Sequence, residues 1–297
     1  MTFTLASTLE EALEALAEGA RPVAGGSDLV VGARQGKVAL PADIVAIDRV
    51  AELAGIEKTA DGLRIGATVT HAQLMSEPHV LEGYTGLADA AALIGSPATR
   101  NVGTIGGNVM NGSPAMDTGA PLLVLGAVAE LRSADGGRLV PLDELWSGPG
   151  ETTAASDELC VALHLPARSE RSGSAYLRLE YRRAMEIAVV GAAAAVELAE
   201  DGLVAAGTVA LTAVAPTIVA LDGLDLAGRS PADAAAAAEA AAVDQAAPIS
   251  DVRATDRYRR HTVGVMARRA VATAAARAAG ENIAVPANHA SGVGASL

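Results

Sequence analysis

The sequence predicts an α+β protein, and three observations carry that prediction. Apolar β-like runs are punctuated by the turn dipeptides Asp61-Gly62, Asp135-Gly136 and Asp201-Gly202, each suited to a hairpin and so to antiparallel pairing. Helical patterns stand at the N-terminus and across the alanine-rich last third, apart from the main β-like runs. Strands, hairpins and helices therefore alternate without a strict βαβ rhythm, which favours α+β layers over a doubly wound parallel sheet.

In chain order, STLEEALEALAEG (7–19) places Ser7 and Glu10 in capping-box spacing, Leu9, Leu13 and Leu16 on one face, and Gly19 as a stop. That pattern predicts a helix. Short β-like runs follow at PVA (22–24) and DIVAI (43–47), and GIEKTADGLRIGA (55–67) alternates about its turn as a hairpin. ELCVALHLP (158–166) reads as an apolar strand ended by proline, and the polar run PARSERSGS (166–174) marks a domain junction. VVGAAAAVELA (189–199) and LVAAGTVALTAV (203–214) flank Asp201-Gly202, and their small residues suit a closely packed sheet. PADAAAAAEAAAVDQAA (231–247) is low in complexity, yet alanine is the best helix former, and Ser230 supplies an N-cap. A second helix is predicted over 254–280, where Arg257, Arg259, Arg260, Arg268 and Arg269 form either a docking stripe or a solvated, ion-paired face. ANHASGVGASL (287–297) reads as a mobile tail.

Composition narrows the function. The 297 residues, 51% of them hydrophobic, suffice for two domains with sizeable cores. No stretch approaches the roughly 18 to 20 apolar residues of a membrane span, and the N-terminus lacks the basic start and apolar core of a signal peptide. A cytoplasmic location is the expectation. A formal net charge of −13 argues against nucleic acid or an anionic membrane surface as partner, because both reward clustered positive charge. Any phosphate ligand must then be held by local dipoles. The single Cys160 can form neither an internal disulfide nor an iron–sulfur site, and it reads as a small buried hydrophobe. His71, His79, His164, His261 and His289 are scattered without the helical spacing of a metal pair, so no metal site is expected.

Two glycine clusters stand out, PVAGGSDL (22–29) and ATRNVGTIGGNVMNGSPAMD (98–117). Gly103, Gly106, Gly107 and Gly112 do not fit the G-x-G-x-x-G spacing of a Rossmann site. GARQGKV (32–38) is one residue short of a Walker A loop, and no Ser or Thr follows Lys37. What remains is a pair of adjacent glycines, twice, each after a β-like segment and before polar residues, Ser27 and Asp28 in one loop and Asn108 in the other. Missing Cβ atoms let backbone approach a ligand, and consecutive N–H groups can form an anion-binding nest. Ordinary tight turns are the alternative for either loop alone.

Together the loops carry a family resemblance. AGGSDL (24–29) resembles the first FAD loop, and TRNVGTIGGNVMNGSPAMD (99–117) the second, of the FAD-binding medium subunit of the molybdenum hydroxylases, the group that includes xanthine dehydrogenase and aerobic carbon monoxide dehydrogenase. LEYRRAMEIAVV (179–190) and DVRATDRYRRHTVGVMARRAV (251–271) resemble two further signatures, in the same order over residues 1 to about 279. The resemblance implies a two-subdomain PCMH-type FAD-binding domain over 1–168, divided near 56, then a smaller α+β domain over 169–280 and a mobile tail over 281–297. Carried over by position, Ala24, Gly25, Gly26, Ser27, Asp28 and Leu29 supply the first diphosphate loop, and Thr104, Ile105, Gly106, Gly107 and Asn108 the second. Glycine amides would there replace basic residues in an acidic protein. Asp117 matches a carboxylate that hydrogen-bonds the cofactor, with a turn or N-cap role as the alternative. Ile94 and Leu159 match apolar FAD contacts and equally suit a core. Arg178 matches a position often held by lysine, and Ile187 an aliphatic cover of one flavin face. Glu186 stands where relatives commonly carry aspartate.

The implied function is electron transfer. The resemblance implies FAD in this chain, iron–sulfur clusters in a small partner subunit, molybdopterin in a large one, and a heterotrimer able to pair into a dimer of heterotrimers. No catalytic residue of substrate hydroxylation is expected here. Two other readings share the fold: a self-sufficient FAD-dependent oxidase or reductase, and a non-catalytic assembly protein.

Overall fold

The structure, a computed structural model, describes residues 2–36 and 39–290; Lys37 lies outside them. Near the N-terminus the chain builds a three-stranded parallel sheet in which Asp43–Ala46 lies between Thr2–Leu5 and Arg21–Val23. Parallel neighbours need long crossovers, and the helices Leu9–Ala17 and Ser27–Arg34 lie within the two connections. Leu9–Ala17 buries Leu9, Ala12, Leu13 and Leu16 in a cluster with Val45, Ile47, Val50 and Leu53. The helix starts one residue later than the Ser7 spacing predicts. Thr8 is the N-cap, its hydroxyl accepting the Glu11 amide at 3.2 Å, while the Glu11 carboxylate accepts the Ser7 amide at 2.7 Å.

An antiparallel five-stranded sheet follows, in the order Ile56–Thr59, Gly62–Gly66, Leu159–Pro166, Val128–Ser133, Gly136–Pro141. Two of the three predicted hairpins lie in this sheet, with the turn one position earlier than the dipeptides: Thr59 pairs with Gly62 and Ser133 with Gly136. Gly62 has a φ of 145°, and a Cβ there would lie 2.0 Å from the Leu165 carbonyl oxygen. Only glycine tolerates both conditions. The central strand Leu159–Pro166 is apolar because sheet neighbours and packed elements surround it. Burial of Cys160 within it pushes the thiol up to about 12, which suits a packing residue rather than a nucleophile.

The last sheet, also antiparallel, has the order Ser172–Leu179, Val190–Leu198, Val204–Thr212, Val219–Ala220. Strand alternation gives its alanines two destinations. Ala193, Ala195 and Ala210 join the core that contains the helices Thr85–Leu93 and Gly119–Val124. Ala192, Ala194 and Val196 join the core beneath Pro231–Gln245 and Asp256–Ala278. The small side chains let those helices sit close: a Cβ on Gly173 would meet the Ala274 carbonyl oxygen at 2.3 Å. Ser230 caps Pro231–Gln245 as its position predicts, accepting the Asp233 amide at 3.2 Å.

Two expectations need correction. The arginines of Asp256–Ala278 do not all lie on the solvated, ion-paired face: Arg268 pairs with Glu239 there at 3.2 Å, but Arg259 points inward, donating to the Val189 and Ala213 carbonyls and pairing with Asp251. Nor is the stretch after 280 a loose tail as far as it is described. The Ala287 amide donates to buried Asp89 at 2.8 Å, and Asn288 brackets the Arg178 backbone, accepting its N–H at 2.8 Å and donating to its carbonyl at 2.9 Å. Residues 291–297 of the expected tail lie outside the described residues.

Candidate cofactor-binding site

The first glycine loop leaves the strand Arg21–Val23 and becomes the N-terminus of Ser27–Arg34. Gly26, with a φ of 65°, is the N-cap, and no side chain caps the helix. The amides of Gly26, Ser27, Asp28 and Leu29 therefore find no acceptor among the described residues. Unpaired first-turn amides and the positive end of the helix dipole suit an anion. Asp28 shares this turn, and burial raises its carboxyl above the ordinary range. Ala24 packs on the cluster that contains Leu159.

The second loop is organised differently. Thr104 caps the short helix Ile105–Met110, its hydroxyl accepting the Gly107 amide at 3.2 Å. The Ile105 amide donates to Val69, Gly106 to Ala67 and Asn108 to Thr104, so between Gly103 and Asn108 only the Thr104 amide lacks an acceptor among the described residues. The adjacent glycines do separate work. A Cβ on buried Gly106 would collide with Ala67 at 2.6 Å, whereas one on exposed Gly107 would meet Thr104 Oγ1 alone, at 3.0 Å. Asn108 is held by the Thr118 hydroxyl, which donates to Oδ1 at 2.5 Å.

The loops touch. A Cβ on Gly25 would fall 1.7 Å from the Val102 carbonyl oxygen and 3.1 Å from the Gly103 nitrogen, and one on Gly103 would stand 3.6 Å from Ser27 Oγ. The 76 residues between Gly25 and Val102 thus close on one seam lined by glycine backbone.

Asp117 and Arg178 meet in an ionic cluster. Arg178, fully buried, donates to Asp117 at 2.6 Å, to Glu180 at 2.9 Å and to the Leu93 carbonyl at 2.9 Å. The Tyr176 hydroxyl donates to Asp117 at 2.8 Å. Burial works against the guanidinium charge, but Asp117 and Glu180 hold Arg178 above its ordinary value. This cluster is tied to the rim of the site. Arg178 also donates to the Glu186 carbonyl at 3.3 Å, and the Met185 amide donates to Gly95 at 2.8 Å, beside half-buried Ile94. Met185 and Ile187 remain 56% and 47% exposed, an aliphatic surface next to the end of Thr85–Leu93. Leu159 is the outlier: it lies 4% exposed with Leu9 and Leu13, underpinning the first loop rather than presenting surface. His71, against Gly103, had no sequence signal, because a Thr70–Thr104 bridge brings it there.

Residues 1–168 match the family described as the FAD binding domain in molybdopterin dehydrogenase, and residues 175–274 the CO dehydrogenase flavoprotein C-terminal domain. The chain is 34% identical to the carbon monoxide dehydrogenase medium chain of Afipia carboxidovorans over 268 residues, 90% of this chain and 92% of that one. It is 37% identical to the xanthine dehydrogenase FAD-binding subunit of Escherichia coli O157:H7 over 193 residues, 64% of this chain and 66% of that one. Among solved structures, carbon monoxide dehydrogenase from Hydrogenophaga pseudoflava superposes with a TM-score of 0.88 at 31% identity, covering 93% of this chain and 98% of that one. Quinoline 2-oxidoreductase from Pseudomonas putida 86 gives 0.86 at 26% identity, with 94% and 98% covered. Two tandem family matches on a fold of this likeness have one reading: the chain belongs to the FAD-binding flavoprotein subunits of the molybdopterin dehydrogenases.

Proposed function

We infer that this chain binds FAD across the seam of its two glycine loops and serves as the electron-transfer subunit of a molybdenum hydroxylase complex. The observation that carries the reading is the contact of Gly25 with Val102 and Gly103, which sets the uncapped first turn of Ser27–Arg34 beside the second loop. The residues fit the cofactor. A diphosphate needs donors without crowding side chains, and the seam offers unpaired first-loop amides beside a second loop that a Cβ at Gly25 would push away. FAD, when bound, accepts electrons singly and releases them in pairs.

The chain's own residues hold and shape that site. First-loop amides bind the diphosphate, Asp117 and Arg178 brace the walls on which Ile94 and Glu186 sit, and Met185 and Ile187 supply apolar cover that excludes water. In such a complex electrons would arrive from iron–sulfur clusters of a small partner subunit, and substrate would be oxidised at the molybdopterin of a large one. No helix among the described residues is long and apolar enough to cross a membrane; a cytoplasmic location is part of the proposal, not of that observation. Titrating the purified chain with FAD tests the reading. One FAD per chain, bound non-covalently and lost in Gly107→Val, is the expected result; a folded Gly107→Val chain with full flavin content overturns the loop assignment.

A further inference from the structure

His71 stands where the two glycine loops meet. It opens the helix His71–Leu74 behind its N-cap Thr70, and Thr70 bridges to Thr104. The start of the second loop therefore fixes where His71 lies. Its amide donates to the Gly103 carbonyl at 3.1 Å. Its ring occupies the space a side chain at 103 would take, since a Cβ there would stand 3.3 Å from His71 Cδ2 and 3.6 Å from Ser27 Oγ. The imidazole edge, the Ser27 hydroxyl and the Gly103 backbone thus converge on one point of the seam.

His71 is 2% exposed, and its buried Nδ1 has no hydrogen-bond partner among the described residues. Buried polar atoms are seldom left so in a native fold, because nothing repays their lost hydration. A half-turn about the Cβ–Cγ bond exchanges Nδ1 with Cδ2 and brings a ring nitrogen to the Gly103–Ser27 side without changing the volume filled. We propose that His71 is a binding residue of the cofactor site, donating a hydrogen bond from a ring nitrogen to an anionic oxygen of the diphosphate held between the loops. The proposal rests on the diphosphate reading of those loops.

The charges around the ring are few. Burial and then Arg100, from the helix Pro97–Arg100, bring His71 down to about 4, so the ring is neutral at pH 7. On its other side Thr85–Leu93 carries one ionisable side chain, Asp89, which is committed to Arg277 and to the Tyr176 and Ala287 amides. The first loop contributes Asp28. A diphosphate placed against this ring favours its protonation, so binding takes up protons on the acid side of neutrality.

The test is FAD titration of the wild type, His71→Phe and His71→Asn, each checked for folding by circular dichroism, between pH 5.5 and 8.5. His71→Phe fills the space without donating and should weaken FAD binding about tenfold or more. His71→Asn keeps a donor and should recover most of the affinity. Wild-type affinity should rise toward pH 5.5, and both variants should lose that slope. Unchanged affinity in His71→Phe, or equal losses in both variants with the slope intact, overturns the assignment. A wild type that takes up no FAD overturns the loop reading itself, and His71 with it.

Discussion

Gly25 and Gly107, one in each loop, show how one residue type serves two ends. Gly25 is glycine because the Val102 carbonyl lies against it, so its work is to join the loops. Gly107 faces outward with only Thr104 Oγ1 nearby, so in the proposed site its work is to leave room for a ligand. Gly25→Ala should therefore lose FAD and also destabilise the fold by about 1–3 kcal/mol, the usual range for overpacking, in a urea melt. Gly107→Val should lose FAD with little change in that melt. His71 gives a pH signature at the same scale. Its folded value of about 4 lies below its ordinary 6.5, so the unfolded chain binds more protons between those values. Stability from the neutral buried ring is fully present above about pH 6.5 and drains as pH falls toward 4, by about 3 kcal/mol at most. Denaturation midpoints measured without FAD between pH 7.5 and 4.5 should fall more steeply in the wild type than in His71→Asn.

At the scale of elements, the C-terminal helix is fastened to the first half of the chain by charge as well as by alanine packing. Arg277 of Asp256–Ala278 donates to Asp89 of Thr85–Leu93 at 2.6 and 3.0 Å, and the Ala287 amide completes the site. Both side chains are nearly inaccessible. Removing one partner strands a buried charge, so Asp89→Ala should cost about 3–5 kcal/mol. The same change should release the segment after Gly280, which limited proteolysis will detect as early cleavage there. This docking was illegible in the sequence, where ANHASGVGASL reads as a mobile tail. Asp89 sits 198 residues from Ala287, and no local pattern announces that pairing.

At the scale of the whole molecule, the proposed role is one step of a longer electron path. Its lone buried cysteine can ligate no cluster, and its family relatives are subunits. The isolated FAD-loaded chain should oxidise no organic substrate, yet once reduced it should pass electrons to an external dye. Co-expression with the genes of an iron–sulfur subunit and a molybdopterin subunit should give a complex on size exclusion whose flavin is reduced by substrate. Turnover of a substrate by the isolated chain would instead establish a self-sufficient flavoenzyme.

The sequence alone determined what local chemistry determines. The Asp-Gly hairpins, the Ser230 cap, the alanine-rich helices and the two glycine loops were all readable, because turn geometry, capping and helix propensity act within a few residues. Even there, Thr8 displaced Ser7 as the first cap by one position, a choice set by which hydroxyl reaches the Glu11 amide. Tertiary structure decided the rest. Only folding could reveal that Gly106 packs inward on Ala67 while Gly107 faces out, that Leu159 belongs to a core and that Arg178 is buried between two carboxylates. Those outcomes depend on which distant backbone comes close and on the cost of burying charge unpaired, and neither quantity is a property of neighbouring residues.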